Sequence, residues 1–142
     1  MRGYKRGVSR HRVSKTFTFS YGHRIPGHDG PCVHLHGHNA RVEIECEGEL
    51  DELGMVVDFA EISRVVEAWI ENHWDHRMIL MRGDPLAQVL LEHDQPVFEI
   101  DASPTAENLA AHLHGIAREA GLPVCAVRFW ESETAMAVYT EQ

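Results

Sequence analysis

The feature that most constrains this chain is a histidine-rich stretch from His23 to His38. It reads HRIPGHDGPCVHLHGH and holds five histidines and one cysteine in sixteen residues. Imidazole and thiol groups gathered so densely are typical of a metal site. The sequence therefore predicts a metal site with a thiol beside it, and the fold must bring the two ends of this stretch together.

Two segments of alternating hydrophobicity flank the histidine-rich stretch, from Arg12 to His23 and from His38 to Glu47. Alternation with a period of two is typical of a half-buried β-strand, in which residues two apart share a face. His23 therefore extends the apolar face of the first strand, and His36 and His38 extend that of the second. If the strands pair antiparallel, these histidines converge beside the loop that joins them.

The other periodic segments predict two helices and two further strands. The predicted elements are a helix over 59–73, a helix from Ser103 to Gly121, and strands over 124–131 and 135–140. Residues 77–102 show no clear period and are interpreted as a loop with a short extended piece at 96–100. The order ββααββ predicts an α+β fold, with two helices on one face of a four-stranded antiparallel sheet.

The length of 142 residues predicts a single domain over 16–142, preceded by a basic tail over 1–15. Six of the thirteen Lys and Arg precede Phe17, whereas the first acidic residue is Asp29. A disordered, solubilising terminus is the favoured interpretation of this tail. A cleaved organelle-targeting segment is the alternative, because the tail is rich in arginine and free of acidic residues.

Charge and hydropathy also limit the partners. Residues 16–142 carry the remaining seven basic residues against all 22 acidic ones. We therefore expect no nucleic acid as the main partner, since phosphate contacts need a basic surface. No apolar run approaches the length that crosses a bilayer, and nothing near Met1 resembles a signal segment. A cytoplasmic protein without a membrane partner is expected.

The three cysteines, Cys32, Cys46 and Cys125, are odd in number and form no CxxC pair. This pattern argues against a disulfide scaffold and against a cysteine-based structural zinc site. Cys46 and Cys125 have the parity of buried strand residues and are expected to be small core side chains. Cys32 lies four residues before His36, so we expect it near the metal.

Three neutral imidazoles that converge from two strands are the usual ligands of a catalytic zinc, which keeps a fourth position open. Zinc is the first expectation, and iron, nickel and copper remain candidates because imidazole binds all of them. The spacing leaves the ligand set open, since His34 shares the parity of His36 and His38.

Other residues have side chains suited to acid–base chemistry. A thiol near a cation and imidazoles, such as that of Cys32, ionises more readily and can act as a base or nucleophile. Asp75 and His76 are an adjacent acid and imidazole that can relay protons. Glu131 ends an otherwise apolar strand face, where a carboxylate is unfavourable unless it has a partner.

Together these residues resemble the 6-pyruvoyltetrahydropterin synthase family. The motifs that carry the resemblance are Phe19-x-x-x-His23, Cys32-x-x-x-His36-Gly37-His38-Asn39, Gly54-Met55-Val56-Val57-Asp58-Phe59, Asp75-His76-Arg77, Pro104-Thr105-Ala106-Glu107-Asn108-Leu109-Ala110 and Trp130-Glu131. They cover residues 16–140 in the order of the family, so the set is far more specific than any one motif. The short gap between cysteine and HGH most resembles the bacterial 6-carboxytetrahydropterin synthases of queuosine biosynthesis.

The resemblance implies a tunnelling fold (T-fold) whose sheets join into a barrel in trimers or hexamers, with active sites between subunits. It also implies zinc ligands at His23, His36 and His38, which decides against His34. The other implied roles are Cys32 as general base, Asp75 and His76 as its relay partners, Glu131 as the anchor of the pterin ring, and Thr105 and Glu107 as borders of the same pocket.

The implied reaction converts 7,8-dihydroneopterin triphosphate to 6-carboxy-5,6,7,8-tetrahydropterin, acetaldehyde and triphosphate. The alternatives are 6-pyruvoyltetrahydropterin synthase, from the same family, and a non-catalytic zinc or pterin-binding module. The cations near enough in sequence to bind triphosphate are Arg24, Arg77 and Arg82. The chain departs from the family at Trp74, where leucine commonly precedes the Asp-His pair, and in the extra histidines His28 and His34.

Overall fold

The computed structural model describes residues 9–141, which form a six-stranded mixed sheet with helices. The strands are β1 (His11–His23), β2 (His36–Gly48), β3 (Arg77–Met81), β4 (Val97–Ile100), β5 (Val124–Ser132) and β6 (Ala135–Thr140). The α-helices are α1 (Phe59–Ile62), α2 (Ala68–His73), α3 (Pro85–Glu92) and α4 (Ala106–Glu119), and a π-helical segment (Ser63–Glu67) joins α1 to α2. The strand order is β4-β3-β1-β2-β5-β6.

The prediction of a four-stranded antiparallel sheet is only partly correct. The four predicted strands are present as β1, β2, β5 and β6, and neighbours among them pair antiparallel. The sheet also contains β3 and β4, and β3 runs parallel to both β1 and β4. Both extra strands lie in residues 77–102. The extended piece predicted at 96–100 is present as β4, whereas β3 was interpreted as loop, because a short parallel strand reads as a brief apolar run without alternation.

Residues 77–102 also contain a third helix, so the prediction of two helices is wrong. The side chain of Asp84 caps α3 by accepting a hydrogen bond from the backbone N–H of Leu86, and Pro85 occupies the first turn. This pairing of an N-cap acid with proline is a recognisable helix start in the sequence.

The predicted helix over 59–73 is helical throughout, and the side chain of Asp58 caps its start. The later helix begins at Ala106 and not near Ser103, since Thr105 is the N-cap and its hydroxyl accepts from the N–H of Asn108 (3.2 Å). Pro104 is therefore outside the helix, which leaves its carbonyl free for another partner.

The core lies between one face of the sheet and the helices. Alternate residues of β1 and β2 point into it, including the buried Phe17, Phe19 and Val42. Trp74 is completely buried against Phe19, with 6.1 Å between ring centroids. The residue that departs from the family pattern is thus a core side chain.

The first strand begins one residue before the predicted Arg12 and overlaps the predicted tail. Because β1 begins at His11, residues 11–15 of the predicted basic tail belong to the sheet. Residues 1–8 of that tail lie outside the described residues, as does Gln142. Within residues 9–141, no helix combines the length and the apolar character that a membrane span requires.

Candidate active site

Three histidines meet where β1 ends and β2 begins. Their candidate ligand atoms all lie within 4.8 Å of one another, and the group comprises His23, His36 and His38. His23 faces His36 across the antiparallel pair, and their ring centroids are 4.6 Å apart. The predicted convergence of these three side chains is confirmed, and His34 is not part of the group.

Hydrogen bonds fix the tautomers of two of these rings. The Nδ1 of His23 lies 2.6 Å from the carbonyl oxygen of Pro104, and the Nδ1 of His36 lies 2.7 Å from that of His34. A carbonyl oxygen can only accept, so each Nδ1 carries the proton and each Nε2 presents a lone pair. Donation from the second ring nitrogen to a carbonyl is the arrangement typical of metal-bound histidine.

The distance between ligand atoms also fits a metal. The Nε2 atoms of His23 and His38 are 3.1 Å apart. A tetrahedral ion with bonds of about 2.0–2.1 Å to nitrogen holds its ligands roughly 3.3 Å apart. The observed separation is close to that value, so these residues fit zinc or another metal that imidazole binds.

Burial keeps the rings of His23 and His38 neutral. His23 is 1% exposed, and burial lowers its pKa to about 4, although its bond to the Pro104 carbonyl acts in the opposite direction. Burial also lowers the pKa of His38. A neutral imidazole can bind a metal ion without first losing a proton, so these two histidines are ready to bind a metal at neutral pH.

A cavity of about 260 Å³ adjoins the histidines. Its lining includes His23 together with four of the other residues that the sequence singled out, Cys32, Thr105, Glu107 and Glu131. Thr105 thus both caps α4 and borders the cavity. One chain therefore brings a candidate metal site, a thiol and two carboxylates to one space.

Glu131 reaches this cavity from a β-bulge. The pairing of β5 with β6 shifts between Trp130 and Ser132, and Glu131 is the extra residue. A bulge re-aims the side chain it carries. The Oε1 of Glu131 lies 3.8 Å from the Nε2 of His23, and the side chain is 28% exposed.

Asp75 and His76 do not line the cavity that contains Cys32. His76 lines a second cavity, which has no lining residue in common with the cavity of Cys32. The Oδ1 of Asp75 lies 2.8 Å from the Nδ1 of His76 and accepts from the N–H of Ser20 (3.1 Å). Within one chain, the acid–imidazole pair is intact but separate from the thiol.

The backbone of His76 holds its ring outward. Its φ angle is +58°, a left-handed conformation that is uncommon for residues other than glycine. The N–H of His76 donates to the carbonyl of Ser20 (2.7 Å), which fixes the turn, while the side chain is 81% exposed. An exposed imidazole on a strained, hydrogen-bonded turn is typical of a functional position.

The three arginines near these residues have other partners. Arg24 makes two hydrogen bonds to Asp84, of 2.7 and 2.6 Å, and Arg82 bonds Asp101 at 2.6 Å. Arg77 donates to the carbonyl of Asn72. None of the three lines the cavity of Cys32.

The sequence motifs did not identify two groups that contact the histidines, namely two backbone carbonyls and the side chain of Tyr21. Pro104 and His34 contribute through backbone carbonyls, which no side-chain motif reveals. Tyr21 shares the face of His23 and His38, at ring distances of 5.1 and 5.6 Å, and its hydroxyl is buried without a hydrogen-bond partner among the described residues. Burial, reinforced by the charge of Glu131, raises the pKa of Tyr21, so it is a neutral phenol.

Comparison with known proteins agrees with the motifs. A sequence model described as 6-pyruvoyl tetrahydropterin synthase matches residues 12–142. A 6-carboxy-5,6,7,8-tetrahydropterin synthase from Rickettsia bellii is 41% identical over 105 residues, which cover 72% of this chain and 76% of that protein. Its counterpart from Haemophilus influenzae is 30% identical over 139 residues, or 92% and 99% of the two chains.

The fold is also shared with solved structures. The structure of 6-pyruvoyl tetrahydropterin synthase from Caenorhabditis elegans has a TM-score of 0.72 and 20% sequence identity to this chain, and the match covers 95% of this chain and 98% of that one. The family match spans nearly the whole described region. The chain therefore belongs to the 6-pyruvoyl tetrahydropterin synthase family.

Proposed function

We propose that this protein is a zinc-dependent 6-carboxytetrahydropterin synthase of 7-deazapurine (queuosine) biosynthesis. Its substrates are 7,8-dihydroneopterin triphosphate and water, and its products are 6-carboxy-5,6,7,8-tetrahydropterin, acetaldehyde and triphosphate. The observation that carries the proposal is the cavity that unites His23, Cys32 and Glu131 in a chain whose curated relatives bear that name.

The reaction balances without an external oxidant or reductant. The first side-chain carbon becomes the carboxylate, and the other two leave as acetaldehyde. The ring and the terminal side-chain carbon are reduced at the expense of the first two side-chain carbons, the triphosphate departs, and one water supplies the additional oxygen. The protein therefore has to supply binding, orientation and proton transfer, for which acid–base side chains and a Lewis acid suffice.

His23, His36 and His38 would hold the zinc, since their candidate ligand atoms lie within 4.8 Å of one another and the Nε2 lone pairs of His23 and His36 are free to bind it. Bound zinc would act as a Lewis acid toward the side-chain hydroxyls of the substrate. The hydrogen bonds to the carbonyls of Pro104 and His34 would orient the ligands and raise their basicity.

Glu131 would anchor the pterin ring. A carboxylate has two acceptor oxygens, which match the two adjacent N–H donors of an aminopyrimidinone edge. The bulge aims Glu131 at the cavity and its side chain is 28% exposed, so it can accept a ligand without a large desolvation penalty. Thr105 and Glu107 would border the bound substrate.

Cys32 would act as general base on the side chain of the substrate, and Asp75 and His76 would pass protons to and from the reacting atoms. Because His76 lines a different cavity from Cys32, we propose that His76 of one copy serves the thiol of another. The resulting trimer or hexamer would also pair the sheet edges that β4 and β6 leave in a single chain.

Product analysis tests this function. The zinc-loaded protein is mixed with 7,8-dihydroneopterin triphosphate, and acetaldehyde and the pterin product are identified by mass spectrometry. Acetaldehyde with a 6-carboxy product is the expected result. A 6-pyruvoyl product without acetaldehyde would assign the sister activity, and binding without turnover would mean that the chain is a binding module.

A further inference from the structure

His28 is a cavity residue that the proposed mechanism does not use. It lies in the loop between β1 and β2 and lines the same cavity as His23 and Cys32. His28 is exposed, whereas His23 is buried. The imidazole of His28 is therefore at the mouth of the cavity, and that of His23 is at its base.

The tautomer of His28 is opposite to that of the candidate metal ligands. The backbone N–H of Gly30 donates to the Nδ1 of His28 over 2.9 Å. A backbone N–H can only donate, so this Nδ1 is the acceptor and the neutral ring carries its proton on Nε2. Binding a metal through Nε2 would require moving that proton and losing the bond to Gly30. His28 thus fits a hydrogen-bond donor and not a fourth metal ligand.

The cavity needs such a donor if its ligand is a polyanion. Its described lining contains the carboxylates of Glu107 and Glu131 but no lysine or arginine. Arg24 and Arg82, close in sequence, are paired with Asp84 and Asp101. Within one chain, a ligand that carries a triphosphate therefore finds no cationic side chain in the cavity lining, and the Nε2–H of His28 is a donor available there.

The orientation of the substrate follows from its chemistry. With the pterin ring anchored on Glu131, the triphosphate is the part of the substrate that is most strongly hydrated. Removing a charged group from water costs free energy, and this cost is smallest where the group stays in contact with solvent. The triphosphate therefore belongs at the exposed mouth. We propose that His28 binds the triphosphate through Nε2–H and selects the phosphorylated pterin over the free one. This inference rests on the proposed function.

The test compares His28→Ala, His28→Gln and His11→Ala. Glutamine can replace the lost N–H donor, and His11 is an exposed histidine at the opposite end of β1. For 7,8-dihydroneopterin triphosphate, we expect His28→Ala to raise KM about tenfold, the factor that about 1.4 kcal/mol produces, with kcat nearly unchanged. His28→Gln should recover most of the loss, and His11→Ala should match the wild type.

Two further measurements separate a phosphate contact from other roles. The Kd of unphosphorylated 7,8-dihydroneopterin and the zinc content should be the same in His28→Ala and the wild type. An unchanged KM in an active His28→Ala variant would overturn the inference. A parallel loss for both pterins, or loss of zinc, would also overturn it, because His28 would then have a structural or metal-binding role.

The outcome can be distinguished from failure of the proposed function. If the wild type does not turn over the substrate, the proposed function fails, and inorganic triphosphate is then titrated calorimetrically into the wild type and His28→Ala. Weaker binding to the variant would support the phosphate contact on its own. Equal affinity, or no binding to the wild type, would refute it.

Discussion

Replacing Arg24 with methionine should destabilise the protein by about 3 kcal/mol at pH 7, near the lower end of the range for breaking a buried ion pair. Arg24 donates two hydrogen bonds to Asp84, of 2.7 and 2.6 Å, and the carboxylate of Asp84 is 1% exposed. Without the guanidinium, that carboxylate keeps only the N–H of Leu86. The side chain of Arg24 is 22% exposed, so water can replace part of the lost solvation, and we take the lower value.

Urea unfolding at a fixed protein concentration measures this effect, with the fluorescence of the buried Trp74 as one probe. For a slope of about 2 kcal/mol per M, the midpoint should fall by roughly 1.5 M. Arg82→Met is the matched control. Arg82 also bonds an acidic partner, Asp101, at 2.6 Å, but this pair is exposed, so its loss should leave the midpoint nearly unchanged.

The penalty should depend on pH in a defined direction. The hydrogen bonds from Arg24 lower the pKa of Asp84 in the folded protein. The stabilisation is therefore complete above the unfolded value of about 3.9 and is lost as pH falls through the folded pKa. The difference between wild type and variant should be equal at pH 7 and pH 5 and should shrink below about pH 4. A loss near zero at pH 7, or one that persists at pH 3, would refute this reasoning.

Three other predictions concern the proposed site. His23→Ala should lose its zinc while His34→Ala keeps it, measured by elemental analysis; the reverse result would mean that the ligand choice is wrong. Cys32→Ala should keep zinc and bind substrate but turn over about 10²–10⁴-fold more slowly, the usual contribution of a general base, and a wild-type rate would falsify its role. Mixing and reassembling Cys32→Ala with His76→Ala should restore turnover that neither variant shows alone, whereas no recovery would place both groups in one chain.

The sequence predicts best the strands that have one solvent-exposed face and one buried face. β1 and β2 alternate clearly; in β1, Phe17 and Phe19 are buried while their neighbours Thr16 and Thr18 are exposed. The convergence of the histidines follows from that alternation alone, since it places them on the same face near the ends of paired strands.

The rest depends on contacts that leave no periodic signal. β3 is a short parallel strand in which Ile79 and Leu80 are both completely buried, so consecutive residues are apolar and alternation is absent. The separation of His76 from Cys32 is set by the tertiary path of the chain, because one follows α2 and the other lies in the loop before β2. The role of the Pro104 carbonyl depends on where α4 starts, which the sequence placed too early.

The candidate metal site depends on the register of β1 and β2. His23 lies opposite His36 and Tyr21 lies opposite His38, in a pairing that extends through all thirteen residues of each strand. A slip of one residue would turn His23 to the face opposite that of its partners. The same slip would expose Phe19, so the core that stabilises the fold also holds the metal ligands in place. The intervening loop carries Cys32 and His28 and is less constrained by that core, which makes it the part of the site where substrate preference can change without loss of the metal.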